Sequence, residues 1–258
     1  MSLIDYAELS RIQVAKLQEQ TLNNQYILNH RGTLYPSTYT PSTVNTGNTT
    51  ANTVLAGTSN ADTITNSASH VTINAGAGND TITNTRRGGA FSLAGAYSNI
   101  DGGADNDYID NKEWSDYSFI SGGTGDDTIL SRAASSTIFG GEGNDFLQNT
   151  TGGVSLNGGA GNDLINDTGA IGKGNTITGG AGNDTISLES AAGNDLIQYN
   201  SGDGNDVISG FGSTDTLSIS GGSYSTTKSG SDLIVTVGEG KITLVGAGNS
   251  SPNIKGTY

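Results

Sequence analysis

The chain contains no cysteine. That absence removes a disulfide framework, a thiolate metal site and a cysteine nucleophile together. Basic residues are scarce: 11 Lys and Arg stand against 25 Asp and Glu, for a formal net charge of −14. Nucleic-acid binding needs clustered cations, so no nucleic acid is expected as a partner. Histidine occurs only as His30 and His70, so no H-E-x-x-H zinc helix exists, and no G-x-S-x-G nucleophile elbow occurs either. The chain is therefore expected not to be an enzyme. No apolar run approaches the ~18 residues of a membrane span. The start lacks a basic stretch followed by an apolar one, so no cleaved N-terminal signal is expected. Only 3 prolines are present, which excludes collagen and a proline-rich spacer.

Glycine, by contrast, is abundant at 40 of 258 residues. Leu, Ile, Val and Phe make up only about a fifth of the chain, a level at which high net charge ordinarily leaves a polypeptide disordered. Placement of those residues must decide. An acidic chain with neither cysteine nor a basic patch has one natural partner, a hard cation such as calcium.

Placement shows a repeat. Gly-rich turns lead into Asp62, Asp80, Asp107, Asp127, Asp145, Asp163, Asp184, Asp195 and Asp206. The spacings are 18, 27, 20, 18, 18, 21, 11 and 11, on a base of 18. Two residues after each Asp stands an aliphatic residue: Ile64, Ile82, Ile109, Ile129, Leu147, Ile165, Ile186, Ile197 and Ile208. Seven before each stands another large apolar one: Leu55, Ile73, Ile100, Ile120, Ile138, Leu156, Ile177, Leu188 and Tyr199. Each unit thus holds two short strands whose middle side chain points opposite to its neighbours. Units stacked in parallel, ~4.7–4.9 Å apart, form two facing apolar ladders, and about eight turns make a rod ~35–40 Å long. Glycine permits the positive φ of a tight coil and leaves backbone carbonyls free, while Asp adds a carboxylate. Stacked loops then offer an oxygen-only site of the kind calcium prefers.

The pattern G-G-x-G-x-D-x-U-x, with U large and apolar, resembles the RTX (repeats-in-toxin) nonapeptide of secreted bacterial proteins across residues 55–211. The resemblance implies an all-β fold, a right-handed parallel β-roll (β-solenoid) with calcium between its turns. It also implies type I export in an unfolded state, and folding outside the cell or at its surface. Carried over by position, the side-chain ligands are the nine Asp above. The backbone ligands come from Gly76, Gly78, Gly103, Gly123, Gly125, Gly141, Gly143, Gly159, Gly161, Gly180, Gly182, Gly202 and Gly204. The family's proteases, lipases and epimerases keep their catalytic domains outside the repeats.

The chain departs from the family pattern, because the half-turns opposite the Asp loops lack a G-x-D up to Asp195. Calcium is therefore expected along one edge, as about five to seven ions, with Asp62 the weakest position. Asp105 stands where the Asp107 loop should have Gly. The extra residues after Asp80, Asp107 and Asp163 fall on the far edge, which tolerates insertion because no ion geometry must be kept. There Arg86, Arg87, Trp114 and Tyr117 form a candidate contact for a partner such as a surface glycan.

Outside the repeat, residues 1–31 predict a helix over about 3–28 that caps the roll or docks on a neighbour. Residues 32–54 read as a Ser/Thr/Asn linker, and residues 212–258 as an antiparallel strand cap with strands at 224–228, 233–237 and 242–245 and a terminal export signal. The function expected is a structural calcium-binding protein that folds on binding calcium and self-assembles into a layer, filament or matrix. The alternatives are an adhesin module, or a secretion and folding module of a larger enzyme.

Overall fold

The 18-residue rhythm becomes two parallel sheets facing each other across a core one side chain deep. A computed structural model describes residues 45–85, 97–113, 115–169, 174–188 and 193–257. The helix expected over 3–28, with Arg86, Arg87 and Trp114, lies outside the described residues. In the described residues one sheet has twelve strands and the other ten. Through Thr216–Ser220 the chain alternates between them, so strands that follow each other in sequence lie in opposite sheets, and each pairs with the strand one turn away.

The register is set by the aliphatic ladders. In the first sheet Ile64, Ile82, Ile109, Ile129 and Leu147 stand side by side, followed by Ile165, Ile186 and Ile208. In the second, Leu55, Ile73, Ile100, Ile120, Ile138, Leu156 and Ile177 do the same. Apart from Leu55, which is partly buried, all of these are buried and belong to one apolar cluster. The flanking residues of each short strand, such as Thr81 and Thr83 around Ile82, face outward by the strand's two-residue alternation. Ile197 departs from the simple rule. It follows Asp195 by two residues, yet it continues the second sheet's ladder between Ile177 and Leu217.

The roll is longer than the repeat. Strand Asn45–Asn48 pairs in parallel with Thr63–Asn66, inside the stretch expected to be a linker. At the other end Thr216–Ser220 and Asn253–Thr257 extend the second sheet in parallel. These rungs lack the full G-G-x-G-x-D turn and so escape a reading based on it. The antiparallel part of the cap forms as expected: Tyr224–Ser229, Asp232–Val237 and Gly240–Leu244 pair in a meander. Its last strand then joins the first sheet in parallel, beside Asn205–Ser209.

A second ladder, polar and buried, runs along the first sheet at its far edge. Asn48 Nδ2 donates to Asn66 Oδ1 at 3.0 Å, Asn66 to Asn84 at 2.8 Å, and Asn84 to Asn111 at 2.7 Å. The next position is Ser131, too short to accept, and Asn111 Nδ2 is left buried with no partner. The ladder resumes where Asn149 donates to Asp167 Oδ1 at 2.8 Å. Ser131 sits in register between Asn111 and Asn149. Ser131→Asn should join the two halves, accepting from Asn111 and donating toward Asn149. We expect it to stabilise the calcium-loaded roll by about 1 kcal/mol, seen as a higher thermal midpoint.

Candidate metal centre

Eight of the nine predicted Asp line one edge of the roll, each at the start of a strand of the first sheet. They are 1–4% exposed. The backbone N–H of Asp62 donates to Asp80 Oδ1 at 2.7 Å, and Asp80 N–H to Asp107 Oδ1 at 2.8 Å. The chain of bonds continues through Asp127, Asp145, Asp163 and Asp184 to Asp206. One carboxylate oxygen of each Asp from Asp80 onward is thus committed to the preceding turn.

The other oxygen is free. Oδ2 of Asp80, Asp107, Asp127, Asp145, Asp163 and Asp184 is buried and has no hydrogen-bond partner. Buried acceptors without donors are costly, and these repeat at every turn. Asp62 differs, since its Oδ2 accepts the N–H of Thr58 at 2.5 Å and its Oδ1 the Thr58 hydroxyl at 3.3 Å. That agrees with its expected weakness.

The thirteen predicted glycines all have positive φ, from 95° to 144°. Gly159 shows the double requirement: its φ is 119°, and a Cβ there would strike the carbonyl oxygen of Gly141 in the preceding turn. The first glycine of each pair escaped the sequence reading, though the doublet was its signal. A Cβ on Gly158 would collide with both Asp163 Oδ2 and the carbonyl oxygen of Gly179. Gly102, Gly122 and Gly140 repeat this arrangement with their own Asp and the next turn's carbonyl. A bare carboxylate oxygen and a carbonyl oxygen therefore crowd the same small space, with no donor between them. This chemistry fits a hard cation. Among the described residues no three Asp, Glu or His side chains converge as a metal cluster. Each loop instead offers one carboxylate among backbone carbonyls, which would hold calcium and supply charge neutralisation.

The residue before each Asp forms a second ladder that the sequence reading missed. Asn106 N–H donates to Asn79 Oδ1, Asp126 N–H to Asn106 Oδ1, and Asn144 N–H to Asp126 Oδ1. Asn162, Asn183 and Asn205 continue it. Asp105 takes the left-handed φ of 75° that glycine has in neighbouring turns, so the coil is kept.

Asp195 lies on the opposite edge, as expected. Its Oδ1 accepts from Asn175 N–H at 2.8 Å, and its own N–H donates to Asp215 Oδ1 at 3.0 Å. Asp215 was not anticipated, although Gly210-Phe211-Gly212-Ser213-Thr214-Asp215 carries the Gly and Asp that mark such a turn. On the same edge Tyr97 stacks on His70 at 5.2 Å and on Tyr117 at 5.1 Å.

Burial pushes the carboxyls of Asp80, Asp127, Asp145, Asp163, Asp184 and Asp195 from 3.8 up to about 6. It pushes Asp107 and Asp206 to about 7. The accepted backbone N–H pulls each back, and neighbouring carboxylates raise them further. The metal-free folded roll therefore binds more protons than the unfolded chain between roughly pH 4 and 7. The stability this gives is complete below the unfolded value near 4 and is lost as pH rises through 6 to 7. Without calcium, circular dichroism should show more β structure at pH 5 than at pH 8, and equal spectra would contradict the assignment. Gly158→Ala should weaken calcium binding by about tenfold, read by calorimetry, because the methyl group fills the space facing Asp163.

The family described as RTX calcium-binding nonapeptide repeat (4 copies) matches residues 56–84, 121–153, 139–166, 172–203 and 191–224. No curated protein matches. Ten chains of solved structures do. One is the crystal structure of the extracellular lipase LipA from Serratia marcescens, with 21% identity over 68% of this chain and 37% of that one, at a TM-score of 0.37. The chain thus spans little more than a third of the length of that lipase. Through the repeats that run from residue 56 to residue 224, the chain belongs to the RTX calcium-binding repeat family.

Proposed function

We propose that this chain is a non-enzymatic structural module that folds when calcium fills the Asp column, and that it then associates with copies of itself outside a bacterial cell. The observation that carries the calcium part is the column of six buried Asp Oδ2 atoms without partners. The ligands are the predicted Asp and Gly residues, and about six ions would satisfy the column. Binding free energy in such a site is folding free energy, because the site does not exist in the unfolded chain. Family membership supports export through a type I system, with the 212–258 region carrying the signal. Among the described residues no helix is long and apolar enough to cross a membrane.

Self-association is supported by large apolar side chains on the outer sheet faces. Tyr108, Phe119, Leu164 and Val207 are 39–46% exposed. In this reading residues 1–31 act as a cap or as an assembly element. A glycan-binding edge is less favoured. Sugar rings stack on aromatic faces, and Tyr97 has both of its faces taken by His70 and Tyr117.

The test has two arms. Circular dichroism should change from disordered to β-rich between chelator and millimolar calcium at neutral pH, and identical spectra would refute calcium-dependent folding. Light scattering in calcium should show particles larger than one chain, and a monomer at high protein concentration would remove the assembly part alone.

A further inference from the structure

The loops of the Asp column are unequal in charge. The turn through Asp107 carries Asp101, Asp105 and Asp107, and the following turn carries Asp126 and Asp127. Register places Asp101 beside Ser121 and Gly103 beside Gly123, so the two loops are stacked neighbours.

Three of these five acids stand where neutral residues do the same structural work. Asp101 lies on the outer face of its strand, flanked in register by Asn74 and Ser121. Asp105 occupies a left-handed position that Gly125 and Gly143 fill without strain in the next turns. Its Oδ2 accepts the Gly78 N–H at 3.0 Å. Asp126 accepts the Asn144 N–H at 2.7 Å, a role that Asn106 and Asn144 perform elsewhere in the same ladder. Their negative charge is therefore surplus to the fold. It sits in the two loops that carry Asp107 and Asp127, whose Oδ2 atoms are buried and unpartnered, with Asp105 turned toward the preceding loop at Gly78.

We propose that the paired loops at Asp107 and Asp127 form the high-affinity calcium site of the column, made so by Asp101, Asp105 and Asp126, and that the roll begins to order there rather than at either end. The proposal rests on the calcium-dependent folding argued above. Calcium affinity rises with the negative charge gathered around an oxygen site. In a stack whose rungs touch only their neighbours, order can start at any rung and spread. An early interior site would fix the starting point.

Calcium titration of the full chain by calorimetry, with hydrogen exchange at substoichiometric calcium, tests this. The wild type should show a tight class ahead of the bulk, with the first protected amides between 99 and 131. The triple variant Asp101→Asn, Asp105→Gly, Asp126→Asn should lose about tenfold or more in that class and protect its amides evenly. Circular dichroism at saturating calcium confirms that it still folds, and the single variant Asp105→Gly, which relieves backbone strain, should show part of the loss. Glu142→Gln with Asp203→Asn removes charge from other loops and should leave the tight class intact. A single uniform class, protection appearing first at a terminal rung, or a triple variant that keeps its tight class would overturn the proposal. Absence of any calcium binding would sink the folding reading itself, and this proposal with it.

Discussion

One carboxylate per turn, half bound and half bare, governs this protein. The bound oxygen fixes the coil, since every Asp from Asp80 to Asp206 takes its hydrogen bond from the backbone of the turn before. The bare oxygen repeats at the spacing of neighbouring strands. Like charges ~4.8 Å apart repel by about 3 kcal/mol per pair at an effective dielectric constant near 20. The same bonds that hold the column in register therefore build up charge that the protein alone leaves unneutralised. A divalent ion per turn would remove it, and about seven such ions would balance the net charge of −14.

The core explains why this condition is decisive. Each rung buries one aliphatic residue per strand, such as Ile82 opposite Ile100, and no rung has a hydrophobic face of its own to fall back on. Stability comes from stacking, so a turn that cannot close its Asp loop deprives both neighbours. The ends are finished differently. Tyr199 donates its hydroxyl to the carbonyl of Gly204 at 2.7 Å, which ties down the last loop, and the antiparallel strands that follow complete the first sheet.

What the sequence revealed and what it concealed follow from the same periodicity. The Asp and Ile positions were legible because both demands are strict: a carboxylate at one edge and a branched apolar residue at the centre. The insertions after Asp80, Asp107 and Asp163 were legible for the opposite reason, since they fall where nothing strict is required. The amide ladder of Asn66, Asn84 and Asn111 was hidden, because Asn beside Thr and Ser reads as an ordinary turn and because Ser131 breaks the series. The first glycine of each doublet was hidden by its partner, whose positive φ accounts for a glycine while leaving open why two are needed. The terminal rungs at 45–48, 216–220 and 253–257 escaped because they continue the parallel pairing without the repeat's Gly-x-Asn-Asp turn.

The two edges are thus clamped by different chemistry, and magnitudes decide which one controls folding. From Asn48 to Asn111 the far edge is closed by neutral amides, each net hydrogen bond contributing about 1 kcal/mol regardless of ions, and carboxylates join it only later, at Asp167, Asp195 and Asp215. Its ladder is already interrupted at Ser131 and gives way after Asp167 to Leu188. The Asp edge faces repulsion of about 3 kcal/mol per neighbouring pair when empty. A partial ladder of weak neutral bonds cannot offset that along the length of the roll. The far edge therefore varies, carrying a stacked His70, Tyr97 and Tyr117 in one region and an aliphatic Leu188 in another, while the Asp edge repeats a buried, unpartnered carboxylate oxygen from turn to turn.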